Sequence, residues 1–147
     1  MIKIQSKTPA NTEAAAAKLA PLLSPPARIY LSGGIGGGKT TWTRALLRAL
    51  GERGIVPSPT FALALSYQTA HFVVHHLDLF REGGEAGADL RELVDDEKAV
   101  CILEWPGEDL PPPDVSMHFA FAKKGEGRTI TMRAGNERAG RWLRACC

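Results

Sequence analysis

The sequence predicts an α/β domain with a mixed β-sheet, in which central parallel strands and an antiparallel hairpin are flanked by helices. Three observations predict this fold class. The glycine-rich stretch Gly33–Thr40 lies between a strand-like segment and an amphipathic helical segment. Ala99–Leu103 is a continuous apolar run, which is typical of a strand buried on both faces. Phe61–Gln68 and Phe72–Leu79 are strand-like runs around a short turn, which predicts the hairpin.

The glycine-rich stretch matches G-x-x-x-x-G-K-[ST], the phosphate-binding loop (P-loop) of nucleoside triphosphatases. Glycines allow backbone N–H groups to turn inward around a polyphosphate. Lys39 is expected to reach the β- and γ-phosphates, and the Thr40 hydroxyl is expected to hold Mg²⁺. The residues predicted to bind nucleotide are Gly33, Gly34, Ile35, Gly36, Gly37, Gly38, Lys39, Thr40 and Thr41.

The flanking segments support a P-loop fold. Arg28–Ser32 is predicted to be the strand before the loop, and Lys39–Leu50 the helix after it, ending at Gly51. The apolar stripe expected to face the core consists of Trp42, Ala45, Leu46, Ala49 and Leu50.

The rest of the chain fits one domain over residues 1–147. A first strand is predicted at Met1–Gln5, and a helix from Thr8-Pro9 to about Ala20. The later predicted elements are a short helix at Asp89–Leu93, strands at Ser116–Ala122 and Arg128–Arg133 around a turn at Lys123–Gly127, and a terminal helix at Asn136–Ala145.

Two carboxylates follow predicted strands. Asp78 ends the second hairpin strand, where P-loop proteins keep a Mg²⁺ partner, although a solvated strand-end Asp fits equally well. Glu104 follows the buried Ala99–Leu103 strand. His76 shares a face with Asp78 and His75 points the other way, so the pair does not form a zinc site. The two prolines of Val56–Phe61 predict an extended segment, which alone favours a rigid surface connector.

Composition excludes several classes of protein. The formal net charge of +2 is too small to indicate nucleic-acid binding by itself. No apolar run approaches the roughly 18 residues of a membrane span, and no signal peptide is evident. Three cysteines do not form a disulfide framework, and Cys101 is expected in the core. A cytoplasmic protein is therefore expected.

Together the motifs resemble the TsaE (YjeE) family, bacterial ATPases needed to make threonylcarbamoyladenosine on tRNA. The family's P-loop G-x-L-G-x-G-K-T-T corresponds to Gly33–Thr41, with Ile35 in place of Leu. Its S-P-T-[FY], H-x-D-x-[YF]-R and E-W-P motifs correspond to Ser58–Phe61, His76–Arg81 and Glu104–Pro106, and order and spacing agree over residues 30–106.

The resemblance implies a Mg²⁺-dependent ATPase that is slow alone and works with the TsaD–TsaB complex, contacting tRNA only through it. The residues expected to serve catalysis are Lys39, Thr60, Asp78 and Glu104. Thr60 is expected to sense the γ-phosphate, as in switch segments, and Glu104 is the candidate for orienting the water, although the sequence does not decide between the two carboxylates. Thr40, Asp78 and Glu104 are the expected Mg²⁺ residues, and Trp105 is expected beside the nucleotide.

The chain also departs from the family pattern. Gly34 stands where an acidic residue is common, and Gly36-Gly37-Gly38 makes the loop unusually glycine-rich. Residues 82–98 match poorly, and residues 114–147 show only the expected strand pattern.

Two other functions were weighed. A small-molecule P-loop kinase would share Lys39 and Thr40, but an arginine-rich lid is not evident. A GTP-driven switch would carry the guanine-reading N-K-x-D motif, which the sequence lacks.

Overall fold

The computed structural model describes residues 1–122 and 127–147, and over these ranges the chain forms seven β-strands and four α-helices. The strands are β1 (Ile2–Ser6), β2 (Ala27–Gly33), β3 (Ala64–Gln68), β4 (Val73–Asp78), β5 (Ala99–Glu104), β6 (Val115–Phe121) and β7 (Arg128–Ala134). The helices are α1 (Pro9–Leu19), α2 (Lys39–Ala49), α3 (Ala88–Val94) and α4 (Glu137–Cys146), and a 3₁₀ turn at Ala20–Leu22 follows α1. Most of the predicted Lys123–Gly127 turn lies outside the described residues.

The strands form one mixed sheet in the order β1-β7-β6-β2-β5-β4-β3. The four central strands β6, β2, β5 and β4 are parallel, while β3 pairs antiparallel with β4 at one edge. At the other edge, β7 pairs antiparallel with both β6 and β1. The predicted combination of central parallel strands and an antiparallel hairpin is confirmed.

Helices cover both faces of the sheet. On one face α1, α2 and α4 enclose the larger core, which includes Leu19, Leu46 and Leu143 packed with Ile102 and Phe119 of the sheet. On the opposite face α3 covers a smaller cluster. That cluster is formed by Tyr30, Leu77, Leu79, Ala86, Val94, Cys101 and Leu103. Within the described ranges, none of the helices combines the length and the apolar character needed to cross a bilayer.

Helix α2 begins and ends where the sequence predicts, but its buried face is rotated slightly. Gly51 has φ +102°, its N–H donates to the Arg48 carbonyl (3.1 Å), and the Glu52 N–H donates to the Leu47 carbonyl (2.9 Å). These two bonds form a Schellman C-cap. Ala49, predicted to face the core, is exposed, whereas Leu47 is fully buried, because α1 packs across this side of α2.

The predicted extended segment Val56–Phe61 is correct only in its first half. Pro59–Ala62 forms a turn in which the Leu63 N–H donates to the Pro59 carbonyl at 2.7 Å. Strand β3 therefore begins at Ala64 rather than Phe61, and the Phe61 side chain is 87% exposed. Leu63 has φ +65°, so the chain reverses direction directly before β3.

Candidate functional site

The P-loop connects the carboxyl end of β2 to the amino end of α2, next to the ends of β4 and β5. Gly33 has φ +124°, and a Cβ at this position would overlap the carbonyl of Phe119 on β6. Gly38 has φ +105° and precedes the first turn of α2, where its carbonyl accepts from the Trp42 N–H at 2.9 Å. The unpaired N–H groups of this first turn point toward the loop and favour an anion.

Lys39 is the cation of the site. Its ammonium donates to the carbonyls of Gly33 (2.8 Å) and Gly34 (3.0 Å) and lies 4.6 Å from the centre of the Trp105 ring. Burial lowers the pKa of Lys39, while the charges of Glu104 and Asp78 act in the opposite direction. The structure therefore holds an ammonium close to two carboxylates.

Trp105 holds an uncommon backbone conformation directly after β5. Its φ is +59°, and its N–H donates to the Leu31 carbonyl of β2 at 3.0 Å. Phe80 packs on the Trp105 ring with centroids 4.9 Å apart. Left-handed conformations of bulky residues are costly and concentrate at functional sites. Here the conformation places the indole over the ammonium of Lys39.

Asp78 is buried and each of its oxygens accepts a hydrogen bond. The Thr60 hydroxyl donates to Oδ2 at 2.8 Å, and the Phe80 N–H donates to Oδ1 at 2.9 Å. The Ser58 hydroxyl lies 2.8 Å from that of Thr60. The turn at Pro59–Ala62 thus fixes the Thr60 hydroxyl against the end of β4.

Glu104 is also buried, and its Oε1 lies 2.9 Å from Nε2 of His76. On the parallel pair β4–β5, Asp78 lies opposite Glu104 and His76 lies opposite Ile102. The three polar side chains therefore share the sheet face that carries α2.

A cavity of about 350 Å³ joins these parts. It is lined by Ile35, Gly36, Gly37, Gly38, Lys39, Thr40, Thr41, Ser58, Thr60, Asp78, Phe80, Glu104 and Trp105. Of these lining residues, Lys39 alone carries a cationic side chain. A neighbouring cavity of about 420 Å³ shares Gly36, Gly38 and Thr41 with the first and extends to Thr12 and Arg128.

Most predicted site residues line the first cavity; Gly33 and Gly34 do not. The carbonyls of these two glycines instead accept the hydrogen bonds of the Lys39 ammonium. Sequence reasoning missed Ser58 and Phe80 as cavity residues and His76 as the partner of Glu104. For Ser58 and Phe80 the available signal was proximity, since each lies two residues from a predicted site residue. The sequence also placed His76 on the same face as Asp78.

The oxygen donors fit a hard cation beside a phosphate. Mg²⁺ is commonly held by one or two carboxylates together with phosphate oxygens and water. Thr40, Asp78 and Glu104 offer one hydroxyl and two carboxylates to the same cavity. In the described part of the chain no group of three or more His, Cys, Asp or Glu side chains forms a metal cage, so a cation here would depend on ligand oxygens as well.

Comparison with known proteins gives a consistent result. The sequence model of the threonylcarbamoyl adenosine biosynthesis protein TsaE matches residues 6–130. The tRNA threonylcarbamoyladenosine biosynthesis protein TsaE of Bacillus subtilis is 31% identical over 144 residues, covering 93% of this chain and 88% of that protein. The protein of the same name from Haemophilus influenzae is 32% identical over 98 residues, covering 63% of this chain and 62% of that protein.

A solved structure shows the same fold. The crystal structure of Bacillus subtilis YdiB superposes with a TM-score of 0.84 at 27% identity, covering 99% of this chain and 93% of that chain. The match to the Haemophilus influenzae protein reaches less than two thirds of that protein's length.

Proposed function

Because the chain belongs to the TsaE family of threonylcarbamoyl adenosine biosynthesis proteins, we propose that it is the Mg²⁺-dependent, ATP-hydrolysing component of the machinery that makes threonylcarbamoyladenosine on tRNA. TsaE proteins take part in that biosynthesis, as their names state. The observation that carries the proposal is the meeting of Lys39, Thr40, Asp78 and Glu104 in one cavity beside the P-loop.

Each residue has a role that its position supports. Lys39 supplies positive charge to the β- and γ-phosphates from the first turn of α2, and the helix N-terminus adds N–H donors. Thr40, Asp78 and Glu104 would offer oxygens to Mg²⁺. When bound, the ion neutralises charge on the phosphates. Glu104 orients the attacking water, and Thr60 reports the γ-phosphate to Asp78 through their hydrogen bond.

The neighbouring cavity gives the nucleoside a place to extend. It opens on the other side of Gly36 and Gly38 and is lined by the hydroxyls of Thr8, Thr12 and Thr41. Arg128 closes one wall, because its guanidinium donates to the Gly36 carbonyl (3.0 and 3.3 Å) and stacks 4.2 Å from the Phe121 ring. A triphosphate held by the loop would direct its sugar and base toward this space.

The proposed partners are TsaD and TsaB, with tRNA reached through that complex. Ile35 (76% exposed) and Phe80 (48% exposed) line the nucleotide cavity, and the exposed Phe61 (87%) follows the lining residue Thr60 in the chain. Exposed apolar groups around one opening are typical of a surface that a protein partner covers. A cytoplasmic location fits this role.

Nucleotide titration tests the proposal. ATP should bind in preference to GTP, and Lys39→Ala should lower ATP hydrolysis by about 10²–10³, the usual effect of removing one preorganised donor. Calorimetric binding of both nucleotides and phosphate-release assays measure these effects. An arginine on the outer face of α2, Arg48→Ala, provides the control and should leave hydrolysis unchanged. If the folded Lys39→Ala variant hydrolyses ATP at the wild-type rate, this cavity is not the site of hydrolysis.

A further inference from the structure

The hydrogen bond between His76 and Glu104 is made by a buried imidazole. The His76 side chain is fully buried, and its other ring nitrogen, Nδ1, has no hydrogen-bond partner among the described residues. The imidazole therefore makes one polar contact, and that contact is with the carboxylate of the nucleotide cavity. A histidine buried only for packing would leave both ring nitrogens without a hydrogen-bond partner, which costs free energy.

Hydrogen-bond chemistry fixes the proton on this ring. An ionised carboxylate only accepts, so Nε2 of His76 must donate to Oε1 of Glu104. A proton on Nδ1 instead would place a bare lone pair against the carboxylate and leave a buried N–H unpaired, both of which cost free energy. A proton on Nε2 satisfies the contact.

This bond decides which way Glu104 faces. Its Oε1 accepts from His76, and its side chain lines the cavity. Lys39 is the competing partner, because its side chain lines the same cavity as Glu104. Without the His76 donor, the carboxylate is free to rotate toward the ammonium, which would withdraw both groups from the ligand.

From these contacts we infer that His76 is a positioning residue, which holds Glu104 in the orientation that meets Mg²⁺ and the attacking water and keeps it away from Lys39. This inference rests on the proposed function for the identity of the ligand. His76 itself is not among the residues that line the cavity. Partners that orient a metal-binding group in this way typically change metal affinity or activity 10–100-fold when they are removed, as a rough guide.

The chain offers a matched set of variants. His76→Leu removes the donor, while His76→Gln keeps an N–H that reaches the position of Nε2. His75→Leu is the control, because His75 lies on the same strand and also contacts a carboxylate, Asp96 at 2.8 Å, but on the opposite face. Unfolding by denaturant reports whether each variant is folded.

The first measurement is Mg²⁺ titrated by calorimetry into each chain saturated with ADP, with ADP affinity in EDTA measured separately. His76→Leu should weaken Mg²⁺ binding about 10–100-fold with little change in ADP affinity, and His76→Gln should recover most of the loss. His75→Leu should match the wild type. Unchanged Mg²⁺ affinity in a folded His76→Leu chain, or a Gln variant as weak as Leu, would overturn the inference.

The second measurement needs no ligand. Nitrogen NMR of the His76 ring in the nucleotide-free chain should show the proton on Nε2, and Glu104→Gln should shift that resonance while leaving His75 unaffected. A proton on Nδ1, or no response to Glu104→Gln, would overturn the positioning role even if His76→Leu fails to fold. Loss of all nucleotide binding by the wild type, with the expected NMR result, would instead refute the proposed function.

Discussion

At the scale of single residues, the site depends on two buried carboxylates with different surroundings. Asp78 has both oxygens engaged, by the Thr60 hydroxyl and the Phe80 N–H. Glu104 accepts from His76 through one oxygen, and its side chain lines the cavity. Asp78 is therefore held from two sides by its own chain, whereas His76 is the side chain that holds Glu104.

Glu104→Gln should separate binding from turnover. The amide keeps the shape of the side chain but removes the charge that orients water, so ATP should still bind while the maximal rate falls by about 10²-fold or more. Glu108→Gln, on an exposed residue four positions later, is the control. Equilibrium binding and steady-state hydrolysis measure the two effects. Weaker binding with an unchanged rate at saturation would make Glu104 a binding residue.

Thr60→Ala should affect ATP more than ADP. The Thr60 hydroxyl donates to Asp78 from a turn that a γ-phosphate could reorder, as in switch segments. Hydrolysis should fall several-fold to tenfold, the cost of about one hydrogen bond, while ADP affinity stays near wild type. Ser66→Ala, a hydroxyl on β3 that does not line the cavity, should behave as wild type. Equal losses of ATP and ADP affinity would contradict the sensor role.

At the scale of elements, the sequence predicted each helix and strand but not how neighbouring elements contact them. Periodicity identified α2, yet it could not show that α1 would bury Leu47 and leave Ala49 exposed. The prolines predicted an extended segment before β3, but Pro59–Ala62 forms a turn that depends on a backbone bond to Leu63. Local sequence patterns therefore predict where a helix or strand forms, whereas the face that it buries depends on the element that packs against it.

Asp114 connects three elements and provides a test at this scale. It accepts from the Arg28 N–H of β2 (2.8 Å), the Asn136 side chain (2.7 Å) and Arg138 of α4 (3.0 Å). Burial, the largest single effect, raises the pKa of Asp114, but the hydrogen bonds from Asn136, Arg28 and Arg138 together lower it below its ordinary 3.8.

Asp114→Ala should therefore reduce the free energy of unfolding by about 2–3 kcal/mol at neutral pH. Because the pKa is depressed in the folded state, the stabilisation is present above the ordinary value and is lost as pH falls through the lower folded value. The difference between wild type and variant should shrink below about pH 4. Urea unfolding from pH 7 to pH 2.5 measures it. The control is Glu137→Ala, which removes an exposed ion pair with Arg141 and should change stability little. If the wild type and Asp114→Ala differed in free energy of unfolding by the same amount at every pH, the depressed pKa of Asp114 would be contradicted.

At the scale of the whole molecule, the site arises from strand order. Strand β5 lies between β2 and β4, so Glu104 comes to rest opposite Asp78, and both face the P-loop at the end of β2. The sequence indicated that each carboxylate lies at the end of a strand. It did not predict the contact between His76 and Glu104, which are 28 positions apart in the chain. Long-range register comes from the assembled sheet rather than from local periodicity.

The assembled cavity holds one lining cation, Lys39, and an exposed apolar rim. Phosphoryl transfer depends on positioning and charge stabilisation, and a group supplied by a partner can raise its rate by about 10³–10⁵. Arg81 does not line this cavity and lies 5.6 Å from the exposed Phe61 ring. The isolated chain should therefore bind ATP well but hydrolyse it slowly.

The most direct test is steady-state ATP hydrolysis by this chain alone and with the TsaD–TsaB complex added, with Lys39→Ala as the blank in both conditions. We expect a slow rate for the chain alone and an increase of at least tenfold on addition of the complex, lost in the Lys39 variant. A fast rate for the isolated chain that the complex leaves unchanged would contradict this account and favour an independent enzyme such as a small-molecule kinase.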